Sequence, residues 1–293
     1  MNRASSVLYD TPGPRAVRRN RILTLVLALL LACGAYLLWR RFSERGQWAS
    51  ELWEPFLHWD VWSELILPGL VNTLKAAFTA AVLALVFGAV FGIARLSDHA
   101  WVRIPAGVVV EFFRAVPLLI LIVFLKFGVS GLGLGIRVDA FTAVVVGLML
   151  YNGSVLAEIV RAGIQALPRG QGEAAFALGL RKGGVMVHVL LPQAVTAMMP
   201  AIVAQLVVLL KDTALGFIVS YEDLLYRGVY VFAVNPPVKY IQAMIVIAVI
   251  YVAINMSVSA LATWLERRTH RARRSAAAPA KADPVTGVPP LGS

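Results

Sequence analysis

Six apolar runs, each near the twenty residues that a helix needs to cross a bilayer, lie at roughly 22–39, 68–94, 104–127, 140–160, 195–220 and 238–265. Nothing else in the chain constrains its fold as strongly. Backbone groups in hydrocarbon must be satisfied within a helix or around a closed barrel. Runs that stay apolar throughout select helices. The chain is therefore expected to be an all-α integral membrane protein with six transmembrane helices. Composition agrees: 59% of residues are hydrophobic and 15% charged, where soluble domains average about 45–50% and about 25%. A single cysteine, Cys33, excludes a disulfide framework and any Cys-based metal site.

Six spans place both termini on one side. Seventeen of the 27 Lys and Arg residues fall on that side and six on the other, so the termini are expected to be cytoplasmic. The net charge of +11 is then a topology signal, not a nucleic-acid footprint. Arg18, Arg19 and Arg21 before an apolar run also describe a signal peptide, and Leu30-Leu31-Ala32-Cys33 resembles a lipoprotein cleavage box. The apolar run continues through Trp39, however, which leaves Cys33 in mid-span and favours a retained helix. The expected organisation is a cytoplasmic arm at 1–21, an extra span at 22–39, an external segment at 40–65, a core domain at 66–265 and a tail at 266–293. Residues 1–20 and 270–293 read as disordered. Trp48, Trp53, Trp59 and Trp62 suit either a helix lying on the outer membrane face or a folded external cap.

Between the fourth and fifth spans the chain leaves the bilayer at about Arg161 and re-enters at about Val195. Leu167-Pro168-Arg169-Gly170 breaks the preceding helix. Gln171 to Leu178 restarts one on the strong helix formers Ala174, Ala175 and Ala177. Glu173 is expected in its first turn, where a carboxylate suits the helix dipole. Gly179 stands where a C-terminal glycine stops a helix. A second segment, Gly184 to Leu191, is expected to end at Pro192, giving two short helices at an angle. The residues alone allow a docking element for a soluble partner or an ordinary interfacial helix pair.

Ionisable residues at bilayer depth are costly and face the bundle or a water path. Arg114 lies about ten residues into its span, roughly 15 Å along a helix, which places it near mid-bilayer. Glu111 shares its face at i,i+3, and Pro117 can kink the helix. Asn152 lies in a Tyr-Asn-Gly-Ser stretch expected to loosen the fourth helix, and Lys211, Asp212 and Thr213 interrupt the fifth. Arg114, Asn152, Lys211, Asp212 and Thr213 supply the group types that a path for a free amino acid needs. Glu111–Arg114 reads equally well as a structural pair, and Glu158–Arg161, near the cytoplasmic mouth, reads foremost as one. Asn72 and Thr73 are expected to act as polar glue between helices, and Lys126 to snorkel.

Glu173-Ala174-Ala175, then Gly179, then LPQA at 191–194 and a later proline resemble the EAA loop of permease subunits in ATP-binding-cassette (ABC) importers. AEIVRAGI at 157–164, GQGEAA at 170–175, LLKDTALGFIVS at 209–220, EFFRAVPLL at 111–119 and GLVNTLKAA at 69–77 resemble the polar amino acid branch of that family. The resemblance covers about residues 66–265, and the whole chain looks most like the glutamate-type permease subunits of actinobacterial importers. Two positions depart from the branch: Val116, where Thr or Ser is common, and Ala214, where Ser is frequent.

The resemblance implies a five-helix permease core plus one N-terminal helix. It implies that loop 165–194 couples to an ATPase through Gly170, Glu173, Ala174, Ala175, Gly179 and Pro192. The implied partners are a second permease subunit in a pseudo-symmetric heterodimer, a cytoplasmic ATP-binding subunit and an extracellular solute-binding protein. The implied work is import of a polar amino acid, glutamate first, across a bacterial plasma membrane by alternating access. ATP and Mg would be used by the partner ATPase, with no cofactor on this chain and no covalent chemistry by it. The chain carries no GxxxxGK[ST] phosphate loop, no HExxH and no Ser-centred elbow, which agrees with that division of labour. A gradient-driven transporter and a membrane scaffold that recruits a soluble partner are the two alternatives.

Overall fold

The computed structural model describes residues 13–133, 135–231 and 240–276. They fall into two compact units, with the division after His58. The expected tail beyond 276 and the arm before 13 lie outside the described residues.

The first unit holds α1 (Pro14–Glu44), which starts with proline in its first turn. Pro suits that position because the N–H it lacks has no helical partner there. The helix carries apolar side chains on every face, among them Leu23, Leu25, Leu27 and Leu30, and all of them are exposed within the unit. A helix apolar all round belongs in lipid or against a partner. It begins well inside the stretch expected to be disordered. The segment after it is not the interfacial helix that the tryptophans suggested. It forms two short 3₁₀ turns, Ser50–Leu52 and Glu54–Leu57. Trp48 bridges Phe42 and Trp53 as an aromatic stack, and the Trp53 indole N–H donates to the Gln47 carbonyl at 2.9 Å.

The second unit is a bundle built on one helix pair. α2 (Trp59–Ala94) packs along α5 (Ala140–Gln165). Ala76, Ala80, Ala84, Gly88 and Gly92 recur every four residues down the buried face of α2. Small side chains at this spacing let two backbones approach, which is how helices gain contact where lipid supplies no hydrophobic drive. A Cβ on Gly88 would stand 2.6 Å from the Leu156 Cβ, and one on Gly92 2.8 Å from the Ala157 carbonyl oxygen. Asp139 caps α5, accepting from the Thr142 N–H at 3.1 Å and from its hydroxyl. The Thr142 hydroxyl is the main reason that this carboxyl is held below its usual range.

The expected third span is broken. α3 (Ala100–Ala115) and α4 (Leu118–Gly131) meet at Val116 and Pro117 at 98°. Proline drives the residue before it into extended backbone, and Val116 has ψ 128°. α6 (Arg169–Ala177) follows α5. α7 (Lys182–Val219) then runs on as one helical stretch. The expected stop at Pro192 does not occur. A π-helical turn at Val185–Leu190 immediately precedes it, as another at Trp62–Ile66 precedes Pro68. The wider π turn moves the carbonyl that a proline ring would strike. At Asp212 the α-helical part of α7 gives way to the 3₁₀ stretch Thr213–Val219. A short π segment, Tyr226–Val231, precedes α8 (Tyr240–Ala276), which carries helix through 270–276, where disorder was expected.

The Tyr-Asn-Gly-Ser stretch does not loosen α5. Gly153 is a packing glycine, where a Cβ would meet Phe87 at 2.9 Å, and the Ser154 hydroxyl donates to the Leu150 carbonyl within the helix. The core joins α2, α4, α5 and α7 through Ala80, Ile122, Leu148, Leu156 and Leu209.

Candidate functional site

The 165–194 loop presents α6 to its surroundings. Glu173, Ala174, Gly170 and Gly179 are exposed, while Ala175 is buried. Glu173 sits at the middle of the helix, not in the first turn, because the helix begins two residues earlier than expected. Gly179 has φ +81°. Its N–H donates to the Phe176 carbonyl at 2.9 Å and the Leu180 N–H to the Ala175 carbonyl at 3.3 Å. That hydrogen-bond pair is a Schellman cap, which needs a left-handed residue and so favours glycine. Pro192 lies inside α7, where Gln193 ties the two elements by donating to the Gln171 side chain at 3.4 Å. Sequence reasoning missed the two side chains that stand out most. Phe176 and Leu178 are 50% and 84% exposed at the end of α6. Two large apolar groups beside a capping glycine, at the end of a helix otherwise made of glycine, alanine and polar residues, were the available signal.

Five charged side chains meet where α2, α3 and α5 approach this loop. Arg95, at the end of α2, contacts Glu111 of α3 and Glu158 of α5, each at 2.9 Å. Arg114 lies 3.4 Å from Glu111 and 4.0 Å from Glu158, and Arg161 also pairs with Glu158. Glu158 stands seven residues from the end of α5, about 10 Å along the helix. Arg114 therefore sits near the loop end of the bundle and not at mid-depth. The 98° bend at Pro117 is the reason: residue count along a broken span does not measure depth.

The remaining residues expected along a path do not converge with Arg114. Asn152 is fully buried on α5 and accepts from Gln205 of α7 at 2.7 Å. Asp212 is within electrostatic reach of the Asn152 amide, yet the Asn152 Nδ2 makes no hydrogen bond of good geometry. Thr213 is buried and donates to the Leu210 carbonyl. Lys211 points elsewhere, into an open groove of about 710 Å³ between α7 and α8 that Tyr251, Asn255 and Ser259 also line.

A second polar network closes the opposite end of the bundle. Asn72 donates to the Glu222 carbonyl at 2.8 Å, the Tyr221 hydroxyl donates to the Asn72 carbonyl at 2.8 Å, and the Leu224 N–H donates to the Thr73 hydroxyl at 3.0 Å. Asn72 and Thr73 thus do bind helix to loop. Asp223, absent from the sequence reading, is fully buried here and accepts from the Tyr226 N–H at 2.8 Å and the Tyr251 hydroxyl at 3.4 Å. Burial pushes its carboxyl up to about 7. Only tertiary contact buries this residue, so no local pattern marks it.

Below pH ~4 both folded and unfolded forms are protonated and burial of Asp223 carries no penalty. Between pH ~4 and about 7 the unfolded carboxyl ionises first, so stability falls as pH rises, and above 7 the loss is constant. Asp223→Asn is expected to flatten that fall and to be more stable than the unaltered chain at pH 8, by on the order of 2–4 kcal/mol. Apparent melting temperatures in detergent from pH 4 to 8 check this; parallel curves for the two proteins would refute it.

Residues 84–271 match the family model described as binding-protein-dependent transport system inner membrane component. The chain is 42% identical over 250 residues to the glutamate transport system permease protein GluD of Corynebacterium glutamicum, covering 84% of this chain and 90% of that one. It is 33% identical over 220 residues to the glutamate/aspartate import permease protein GltK of Escherichia coli, covering 71% and 97%. A solved structure of an amino acid ABC transporter with histidines contains a chain that is 31% identical, with a TM-score of 0.65 over 71% of this chain and 95% of that one. With an all-helical bundle, a capped loop helix between α5 and α7 and these matches, the chain belongs to the binding-protein-dependent transport system inner membrane components, as a multi-pass permease subunit of the amino acid ABC importers.

Proposed function

We propose that this chain imports an acidic amino acid, glutamate first, as one half of a pseudo-symmetric permease heterodimer driven by a separate ATPase. The observation that carries the reading is the α6 loop end. Phe176 and Leu178 stand exposed beside the Gly179 cap, while Ala175 anchors the helix to the bundle. An exposed apolar pair on a rigid, short helix fits a cleft in a soluble partner. Gly170, Glu173, Ala174, Ala175, Gly179 and Pro192 form or support that docking element. The ATPase binds ATP and Mg; this chain transmits the resulting motion and performs no covalent chemistry. Both termini and the α6 loop face the cytoplasm, and a solute-binding protein delivers substrate at the Asp223 end.

Glutamate is supported by the glutamate transport and glutamate/aspartate import of the two permeases named above. A second support is the Lys211 ammonium in the groove between α7 and α8, a donor suited to a carboxylate. Asp212 and Thr213 follow Lys211 where the α-helical part of α7 ends, and Asn152 ties α5 to that helix through Gln205. Arg114 takes part through the charged cluster at the loop end.

The test is uptake of labelled glutamate into proteoliposomes that hold this chain with its partner permease, ATPase and binding protein. Uptake that requires ATP and is competed mainly by acidic amino acids is expected. Competition by glutamine or basic amino acids instead would change the substrate and keep the mechanism. Uptake indifferent to ATP would refute the docking reading and favour a gradient-driven carrier.

A further inference from the structure

We propose that Arg95 and the Asp98–Lys182 ion pair are positioning residues that fasten the α6–α7 coupling loop to α2 and α3, so that displacement of the loop carries these helices with it. The inference rests on the docking reading above. α5 leads into the loop and α7 leads out of it, so both move with it by covalent continuity. α2 and α3 do not belong to the loop, and the turn between them, residues 95–99, is where they reach it.

Three sets of contacts converge on that turn. From the loop, Lys182 pairs with the Asp98 carboxylate and donates to the Leu96 carbonyl at 3.5 Å. The Lys182 ammonium is the main reason that the Asp98 carboxyl is held below its usual range. The Leu96 side chain packs with Met186, Leu190 and Leu191 of α7 around a core of Ile164, Ala194 and Met198. From α3, Arg103 donates to the Ser97 and Asp98 carbonyls at 2.9 and 3.2 Å, which fixes the turn as a rigid body. From the bundle, Arg95 holds Glu111 on α3 and Glu158 on α5 at the same time. Its side chain is only 14% exposed, and Glu158 is 25% exposed, so that charge-assisted bond is largely shielded from water and strong, while the bond to the more exposed Glu111 is the weaker of the two.

The residue types suit the task. One guanidinium presents separate N–H groups to two carboxylates on two helices, which a single ammonium does less well. The Asp98–Lys182 pair is 73% and 47% exposed and adds little to folding. Its place is between the loop and the turn, where a weak bond still sets register. Together the contacts form a continuous route from loop to helices, the physical condition for coupling.

The experiment uses the full complex in proteoliposomes and reads uptake per ATP hydrolysed, with glutamate-loaded binding protein outside. A misfolded complex loses uptake and hydrolysis together, so the ratio isolates transmission. Asp98→Lys and Lys182→Asp, which set like charges against each other on the surface, are each expected to lower the ratio roughly 3- to 10-fold. The exchange D98K/K182D restores the ratio to within about twofold. Arg95→Gln lowers it about 10-fold or more, and should that variant fail to fold, the surface pair decides. Single reversals with an unchanged ratio, or an exchange as poor as the singles, would overturn the inference alone. An unaltered complex whose uptake ignores ATP would overturn the docking reading and this inference with it.

Discussion

Gly179→Pro is expected to reduce ATP-driven uptake roughly 30- to 1,000-fold while leaving the chain inserted in the membrane. Gly179 holds φ +81°, and a proline ring fixes φ near −65°. The substitution also removes the N–H that donates to the Phe176 carbonyl at 2.9 Å. Lost cap geometry and a lost hydrogen bond together cost about 2–4 kcal/mol, which as a population of formed helix corresponds to that range. α6 is nine residues long, too short to persist without its cap. Phe176 and Leu178 would then no longer be presented as a pair. Gly179→Ala keeps the N–H and strains only φ, at about 1 kcal/mol, so a milder loss is expected. Glu173→Lys reverses a charge on the exposed face of α6 and should release the ATPase on co-purification without touching the cap. Wild-type uptake by Gly179→Pro would show that the loop end does not dock.

Much of this architecture is written locally. The apolar runs, the Gly179 stop and the i,i+3 pairs Glu111–Arg114 and Glu158–Arg161 each depend on neighbours within a turn or two, so pattern alone finds them. What pattern alone misses depends on where helices meet. Pro117 announces a bend but neither its 98° nor the close approach of Ile122 in α4 to Gly147 of α5. Pro192 reads as a helix stop because nothing local announces the π turn that accommodates it. Gly153 reads as a weak point until Phe87 is seen to fill its place. Arg95 reads as a topology charge, and only the fold brings Glu111 and Glu158, 16 and 63 residues away, to its two nitrogens. Asp223 is likewise ordinary in sequence until the fold sets it against Gly69 of α2 and Tyr251 of α8. The four-residue ladder of small side chains in α2 was legible in principle, since spacing is all it needs.

That ladder carries the largest expected effect on the fold. Gly92→Val is expected to lower the apparent melting temperature by about 5–10 °C or to prevent accumulation of the chain. A Cβ at Gly92 would meet the Ala157 carbonyl oxygen and the Val160 Cβ, both at 2.8 Å. Neither can yield: one is helix backbone and the other the branch point of a stiff side chain. Relief requires α2 and α5 to separate, which also opens Ala76, Ala80 and Ala84, each fully buried. Overpacking of this kind costs about 1–3 kcal/mol and occasionally more. Gly107, in α3, has nothing within 4 Å of its Cβ position, so Gly107→Ala is expected to leave the melting temperature unchanged or raise it slightly. Melting of the two variants side by side in detergent checks the contrast, and equal melting temperatures would show that the close approach of α2 and α5 is not what holds the bundle. The same separation would draw Arg95, three residues beyond Gly92, away from Glu158. A Gly92 variant that still accumulates should therefore transport less per ATP than its stability predicts, because the contact that stabilises the bundle also sets the distance across which Arg95 acts.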